Sequence, residues 1–341
     1  MFFDADPNTP EGLLAMASAV SLRAEICTQR YGSYLEKLGT IQVIEDMNAI
    51  QQALGEDRVT FLGQSYGTRV GVVYAQRYPK RVRAMVLDGS LPPVSTLVGI
   101  SADLAVSFEA ALHEWLRRCA ASQPCPFGDD PLTGFDALVD RIRTAPPVVP
   151  DTGGRRLTIG LFYQVVLAGI INYPGSTTIA QNVITEFLTT GDATALLQFA
   201  DAITGRLPDG NYGKNANEIF QFVNCLDWDA RPTPDDVAAL VEHVRPFSPR
   251  LGAFTVTFAF MNSTACPFPP TLVPPVSNPD VPPLLVVGNH TDAETPLHWS
   301  QELSEALPGS RLLVSMTACP ASVSRSRLPS GAVLLESLWV W

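Results

Sequence analysis

Positive charge is scarce in this sequence. Its 341 residues carry 23 Lys+Arg against 34 Asp+Glu, a formal net charge of −11, the opposite of the clustered basic surface that phosphate contacts require, so nucleic acid is excluded as a partner class. Long apolar runs are missing too. Pro283 to Gly288 is only strand-sized, no run approaches the roughly 18 residues of a span, and no membrane span is expected. The start, Met1-Phe2-Phe3-Asp4, has no basic stretch followed by an apolar one, so no secretory signal is visible in it. Histidine is rare: His113, His243, His290 and His298 are scattered away from the cysteines, and no Cys-x-x-Cys pair occurs. A zinc site is therefore not expected, and neither is any other metal or cofactor.

What is present describes a folded chain. Hydrophobic residues make up 46% and charged ones 17%, far from the composition of disordered segments. Six cysteines favour structural disulfides over reduced thiols. Cys119 and Cys125 bracket a Ser-Gln-Pro turn, and Cys225 and Cys266 sit in polar or aromatic surroundings, but the connectivity stays open. No oligomeric state is implied.

The hydrophobic period changes along the chain. From about Glu11 the pattern is helical. Thr40 is expected to cap a helix with Val43, Met47, Ile50 and Leu54 as its buried stripe and Gly55 as its stop. Arg58 to Leu62 then reads as a strand, Thr68 to Tyr78 as a helix that Pro79 ends, and Val82 to Leu87 as a second strand. Strand, helix, strand over so short a span is a βαβ unit, hence a parallel sheet. Between Ser95 and Phe247 the signals are helical: 104–116, 135–142, 159–171 and 179–188. A proline-rich stretch from Cys266 to Pro283 leads back to strand 284–287, helix 297–307 and strand 311–314. The expected division is residues 1–94 for the first part of an α/β core, 95–270 for a helical cap, 271–316 for the rest of the core and 317–341 for an atypical tail.

One pentapeptide carries chemistry. Gly63-Gln64-Ser65-Tyr66-Gly67 is a G-x-S-x-G, a pattern that arises by chance about 0.1 times in a chain of this length and composition. Its position, directly after a predicted strand and opening a predicted helix, is the one a seryl nucleophile requires. The glycines permit a sharp turn that lifts the Ser65 hydroxyl above the sheet. The Tyr66 N–H, at a helix N-terminus, can face an oxyanion. The bland alternative is a βα turn capped by Ser65.

These residues also carry a family likeness. Leu62 to Gly71, Tyr78-Pro79-Lys80-Arg81-Val82, Met85 to Gly89, Cys225-Leu226-Asp227-Trp228, Ala265-Cys266-Pro267, and Pro283 to Gly288 with Asp292 and Thr295-Pro296 resemble the tripeptidyl-aminopeptidase-like α/β hydrolases, relatives of proline iminopeptidase. The likeness runs from about Asp4 to Val314. It implies an α/β-hydrolase fold with a large helical cap, a serine peptidase that releases short peptides from peptide N-termini, disulfides in the cap, and a secreted or cell-envelope location where the visible start alone would suggest the cytoplasm. The implied partner is a peptide or small acyl substrate. Asp292, after a predicted strand and later in the chain than Ser65, fits the acid of the order Ser, Asp, His; its everyday alternative is a helix cap. Glu109, Glu114, Asp227 and Asp229 are conceivable contacts for a substrate amino group.

Two parts of the pattern are missing. In the family a histidine follows the last strand in a Gly-x-Gly-His loop, whereas this sequence reads Ser315-Met316-Thr317-Ala318 and has no histidine after His298. His290 and His298 do not match that position, and no catalytic histidine is found. The family's oxyanion loop, a Gly-Gly-Pro-Gly-like turn, belongs before the elbow, and Gly153-Gly154 comes after it. The expectation is a chain incomplete at both ends, with a reading-frame change near Met316 or a diverged end, and an impaired or inactive enzyme. An esterase on the same fold is the alternative.

Overall fold

The computed structural model describes residues 4–121, 125–171 and 175–316, so the expected tail at 317–341 lies outside the described residues. The chain divides into two compact units, residues 1–22, 101–215 and 232–264 in one and 23–100, 216–231 and from 265 onward in the other.

The second unit holds the sheet. Helix α1 (Pro10–Tyr31) and α2 (Thr40–Ala53) precede β1 (Val59–Gln64), α3 (Tyr66–Arg77) and β2 (Val82–Asp88). After α4 (Leu97–Ala121), α5 (Pro131–Thr144), α6 (Ile159–Ile171), α7 (Ser176–Thr190), α8 (Thr194–Thr204), α9 (Ala216–Asp227), α10 (Pro234–Val244) and α11 (Gly252–Phe260) come β3 (Leu285–Asn289), α12 (Leu297–Ala306) and β4 (Arg311–Ser315). Among the described residues the strands form one sheet in the order β1-β2-β3-β4, every pair parallel, with Gln64 beside Asp88, Asp88 beside Val287 and Asn289 beside Ser315. All four strands therefore point the same way, and the turns after β1, β2 and β3 gather at one end. The α/β-hydrolase class and the parallel sheet are as the sequence indicates.

The core of this unit is assembled from Val70, Val73 and Tyr74 of α3, Met85 and Leu87 of β2, Val286 of β3, Leu303 of α12 and Leu307 at its C-cap. Ile44 and Met47 of α2 complete it. The α2 stripe differs from the expected one. Thr40, Ile44, Met47 and Gln51 are buried, while Ile50 and Leu54 are 45% and 63% exposed. Thr40 is the first helical residue and Gly39 the cap, because the Thr40 hydroxyl is engaged elsewhere, by the Asp227 carboxylate. Gln51 bonds the Glu56 carbonyl and accepts from Arg81 at 3.2 Å. A stripe containing polar residues with partners is stable inside, and hydrophobicity alone cannot find it.

The other unit is helical. α6 is buried nearly all round, as its uniformly apolar sequence requires. A chain of rings, Trp115, Phe127, Phe135 and Phe162, packs at centroid distances of 5.6, 5.9 and 6.3 Å. α10 opens with a capping box in which the Thr233 hydroxyl takes the Asp236 N–H and the Asp236 carboxylate takes the Thr233 N–H, and Pro234 sits where its missing N–H costs nothing. Two disulfides form, Cys119 to Cys125 in this unit and Cys225 to Cys266 in the sheet-bearing one. Loop length makes them unequal: chain-entropy arithmetic gives about 4 kcal/mol for the latter and about 2 kcal/mol for the former. Cys27 is a buried free thiol, and Cys319 lies outside the described residues.

Candidate active site

Ser65 occupies the turn between β1 and α3 with φ 53° and ψ −124°, a conformation that costs a non-glycine residue of order 1–3 kcal/mol. Its surroundings hold it there. The Ser65 N–H donates to the Asp88 carbonyl at 3.0 Å, and the Ser65 carbonyl accepts from the Thr68 N–H at 2.9 Å and the Thr68 hydroxyl at 2.6 Å. Thr68 is fully buried and also accepts the Leu91 N–H at 3.1 Å, tying the turn to the chain after β2. The turn is tight enough to need glycine: a Cβ at Gly63 would stand 2.4 Å from the Gly67 carbonyl oxygen, and one at Gly71 would stand 2.8 Å from Leu87. Tyr66, the first residue of α3, carries one of the N–H groups that a helix leaves without an internal partner, next to the serine and at the positive end of the helix dipole.

Asp292 follows β3 at the same end of the sheet. It is 6% exposed, and its oxygens accept from the Glu294 N–H, the Thr295 N–H and the Thr295 hydroxyl, each at 2.9 Å. The loop lies against Gly89, where an added Cβ would be 2.6 Å from the Thr295 hydroxyl and 3.6 Å from Asp292 Oδ2. Gly89 directly follows Asp88, whose carbonyl holds Ser65. Ser65 and Asp292 thus flank one strand end. The sequence did not single out Thr68 or Thr295 for these roles, although the Asp-x-x-Thr spacing is a local signal of a side-chain turn.

Burial pushes the Asp292 carboxyl above the usual aspartate range; the bonds from Thr295 and Glu294 pull it down, and the nearby Asp88 charge raises it further. Because the fold binds this proton more tightly than the unfolded chain does, the stability it contributes is present below the ordinary aspartate pKa and is lost as pH rises through the raised value. Asp292→Asn stays neutral at every pH. It is expected to match the wild type in acid and to be the more stable protein at neutral pH, as read by urea unfolding under both conditions. A variant that loses stability relative to wild type between acid and neutral pH reverses this sign.

Among the described residues no imidazole bonds to Asp292. His290 is exposed in the turn after β3, where its N–H donates to the Ser315 carbonyl at 3.0 Å. His298 is exposed on α12 with its ring 6.0 Å from that of Trp299. His113 and His243 are exposed on α4 and α10 of the helical unit. No strand precedes β1 among the described residues, and no group of acidic, histidine and cysteine side chains there could hold a metal ion.

The acidic candidates fare differently. Glu109 is 3% exposed and accepts from the Arg250 N–H, the Leu251 N–H, the Ser248 hydroxyl and the Arg250 guanidinium. Glu114 pairs on the surface with Arg117 and Arg118, whose hydrogen bonds hold its carboxyl down at about 2. Asp229 is exposed. Asp227 is 2% exposed and takes the Thr40 N–H at 2.9 Å, the Thr40 hydroxyl at 2.5 Å and the Tyr66 hydroxyl at 3.2 Å. Tyr66 and Thr40 also bond to each other. Burial, then the Asp227 charge, raises the Tyr66 phenol well above its ordinary range, so it stays a hydrogen-bond donor. A fully engaged carboxylate thus anchors the side chain whose backbone follows Ser65.

Residues 23–146 match a family described as "alpha/beta hydrolase fold" and residues 255–325 one described as "TAP-like protein", the second match extending past Val314. The chain is 32% identical over 301 residues to serine protease Hip1 of Mycobacterium tuberculosis, covering 84% of this chain and 57% of that protein. It is 32% identical over 317 residues to carboxylesterase B of the same organism, covering 88% and 58%. With the tripeptidyl aminopeptidase of Streptomyces lividans it shares 27% over 305 residues, covering 86% and 55%. The chain therefore spans little more than half the length of these relatives.

Proposed function

This chain belongs to the TAP-like α/β-hydrolase family, and from that premise we propose that it is a serine hydrolase of the aminopeptidase type, releasing short peptides from peptide N-termini through an acyl-enzyme. The observation that carries the proposal is Ser65 at φ 53° between β1 and α3, with Asp292 buried beside the neighbouring strand end. In the first step the Ser65 oxygen bonds the acyl carbon, the carbonyl oxygen takes the negative charge against the Tyr66 N–H, and the hydroxyl proton passes to a base. That proton then goes to the leaving amine as the C–N bond breaks, and water releases the acyl group. Asp292 is the group that orients the base.

Slow turnover is the expectation for this chain. No imidazole is bonded to Asp292 among the described residues, and loss of the base from a complete site costs about 10⁶ in kcat. The two disulfides support a role in an oxidising compartment, secreted or at the cell envelope; no helix among the described residues is long and apolar enough to cross a membrane. Similarity to a protein named carboxylesterase B supports an ester-hydrolysing alternative. Comparing a tripeptide p-nitroanilide, its N-acetylated form and p-nitrophenyl butyrate separates the two. The aminopeptidase reading expects slow release from the free-amine peptide and none from the acetylated one. Ester turnover with no preference for a free amine hands the chain to the esterase reading.

A further inference from the structure

A cavity of about 230 Å³ lies within the sheet-bearing unit. Neither Ser65 nor Asp292 lines it. The side chains lining it are mostly apolar, Val72 and Val73 of α3, Leu303 of α12, Val276, and prolines from the segments 91–95 and 273–276, with polar surface between them. Two polar groups interrupt them, Arg69 and Ser95.

Both groups are poorly satisfied. The Arg69 side chain is only 11% exposed, and its Nε reaches Asp227 Oδ2 at 3.4 Å without the alignment of a hydrogen bond. A second nitrogen reaches the Asp227 carbonyl at 3.5 Å, and the guanidinium lies over the Trp228 ring at 4.3 Å. The Asp227 carboxylate already accepts three hydrogen bonds, from Thr40 and Tyr66. The Ser95 hydroxyl oxygen is buried with no hydrogen-bond partner among the described residues. A guanidinium has five donors in a planar fork, and buried polar groups without bonds are rare and costly. Donors of this kind are completed by an anion, and a carboxylate matches the fork best. The cavity's size sets the rest of the ligand. A dry cavity of about 150 Å³ takes benzene, so this one has room for a single ring or a branched chain of similar bulk together with its carboxylate.

From this juxtaposition we propose that the cavity formed by Arg69, Ser95 and the proline-flanked strap around Val276 binds a small monocarboxylate with an apolar body. The carboxylate meets the Arg69 guanidinium and the Ser95 hydroxyl, and the body packs against Val72, Val73, Val276 and Leu303. Ser65 and Asp292 are not among its lining residues, and its test reads binding alone, not hydrolysis.

The test uses the full chain carrying Ser65→Ala, with phenylacetate as the probe and phenylacetamide as its neutral counterpart. Binding is read by tryptophan emission, since Trp228 stacks on the guanidinium, and by melting temperature. Phenylacetate is expected to saturate in the millimolar range and to bind at least about ten-fold more tightly than the amide. Val276→Trp, which fills the cavity from the strap, is expected to abolish saturation while circular dichroism stays unchanged. Arg69→Lys, which keeps the charge but not the fork, is expected to weaken binding several-fold without abolishing it. Equal binding of acid and amide, saturation that survives Val276→Trp, or no saturation by the folded protein each overturns the proposal.

Discussion

Ser65→Ala is expected to abolish covalent labelling of the folded chain by a fluorophosphonate and to remove whatever peptide or ester hydrolysis runs through a seryl acyl-enzyme. In a complete site, loss of the nucleophile costs about 10⁶ in kcat, the largest effect any single substitution here can have. This chain starts from a lower rate, so labelling is the sharper readout: it needs one covalent event per molecule. The substitution leaves the fold in place. Alanine meets the same strain at φ 53° as serine does, and the bonds that fix the turn run through the backbone of residue 65, to Asp88 and Thr68. Wild-type protein that is folded and stays unlabelled removes Ser65 from the role of nucleophile. Labelling that persists in Ser65→Ala does the same, by locating the reactive group elsewhere.

Asp227→Ala is expected to destabilise the sheet-bearing unit by about 3–5 kcal/mol, the range for breaking a buried charged network from one side. The substitution strands the Thr40 N–H and hydroxyl and the Tyr66 phenol, which all bond this carboxylate, and it removes the negative charge 3.4 Å from the Arg69 Nε. Thr40 and Tyr66 stand at the first turns of α2 and α3, so two helix starts lose a shared anchor. Asp227→Asn keeps an acceptor for Thr40 and should lie between alanine and wild type. Urea unfolding monitored by far-ultraviolet circular dichroism measures the series. An alanine variant within about 0.5 kcal/mol of wild type, the usual scatter of surface substitutions, would mean that water replaces the carboxylate without loss.

The asymmetry between what the sequence disclosed and what it concealed has a physical basis. The βαβ unit around the elbow was legible because its signals are local: a short β-branched run, glycines at the turn, and Pro79 at the helix end. The apolar helix at 159–171 and the strand pair around α12 were legible for the same reason. Ser65 and Asp292 could be nominated because each stands at a strand's end in a recognisable short motif. The Asp227 anchor could not be found that way. Its partner Thr40 is 187 residues away, and side-chain bonds across such distances leave no periodic mark. The misjudged face of α2 has a related cause. Thr40 and Gln51 are polar by composition and buried by partnership, so a count of apolar residues selects Ile50 and Leu54, which are exposed. Disulfide pairing was open in sequence for lack of distances, and the structure pairs four of the six cysteines.

The pairing of Val86 with Leu285 joins chain segments roughly 200 residues apart, and that separation orders events in time. β1, α3 and β2 form a short local unit that can assemble early during synthesis, with Ser65 already turned upward on it. β3 and β4 exist only once most of the chain has been made, and Asp292 arrives with them. Ser65 and Asp292 therefore come from parts of the chain made at different times, and until β3 is available β2 lacks its partner on that side, an unpaired strand edge of the kind that favours aggregation during folding.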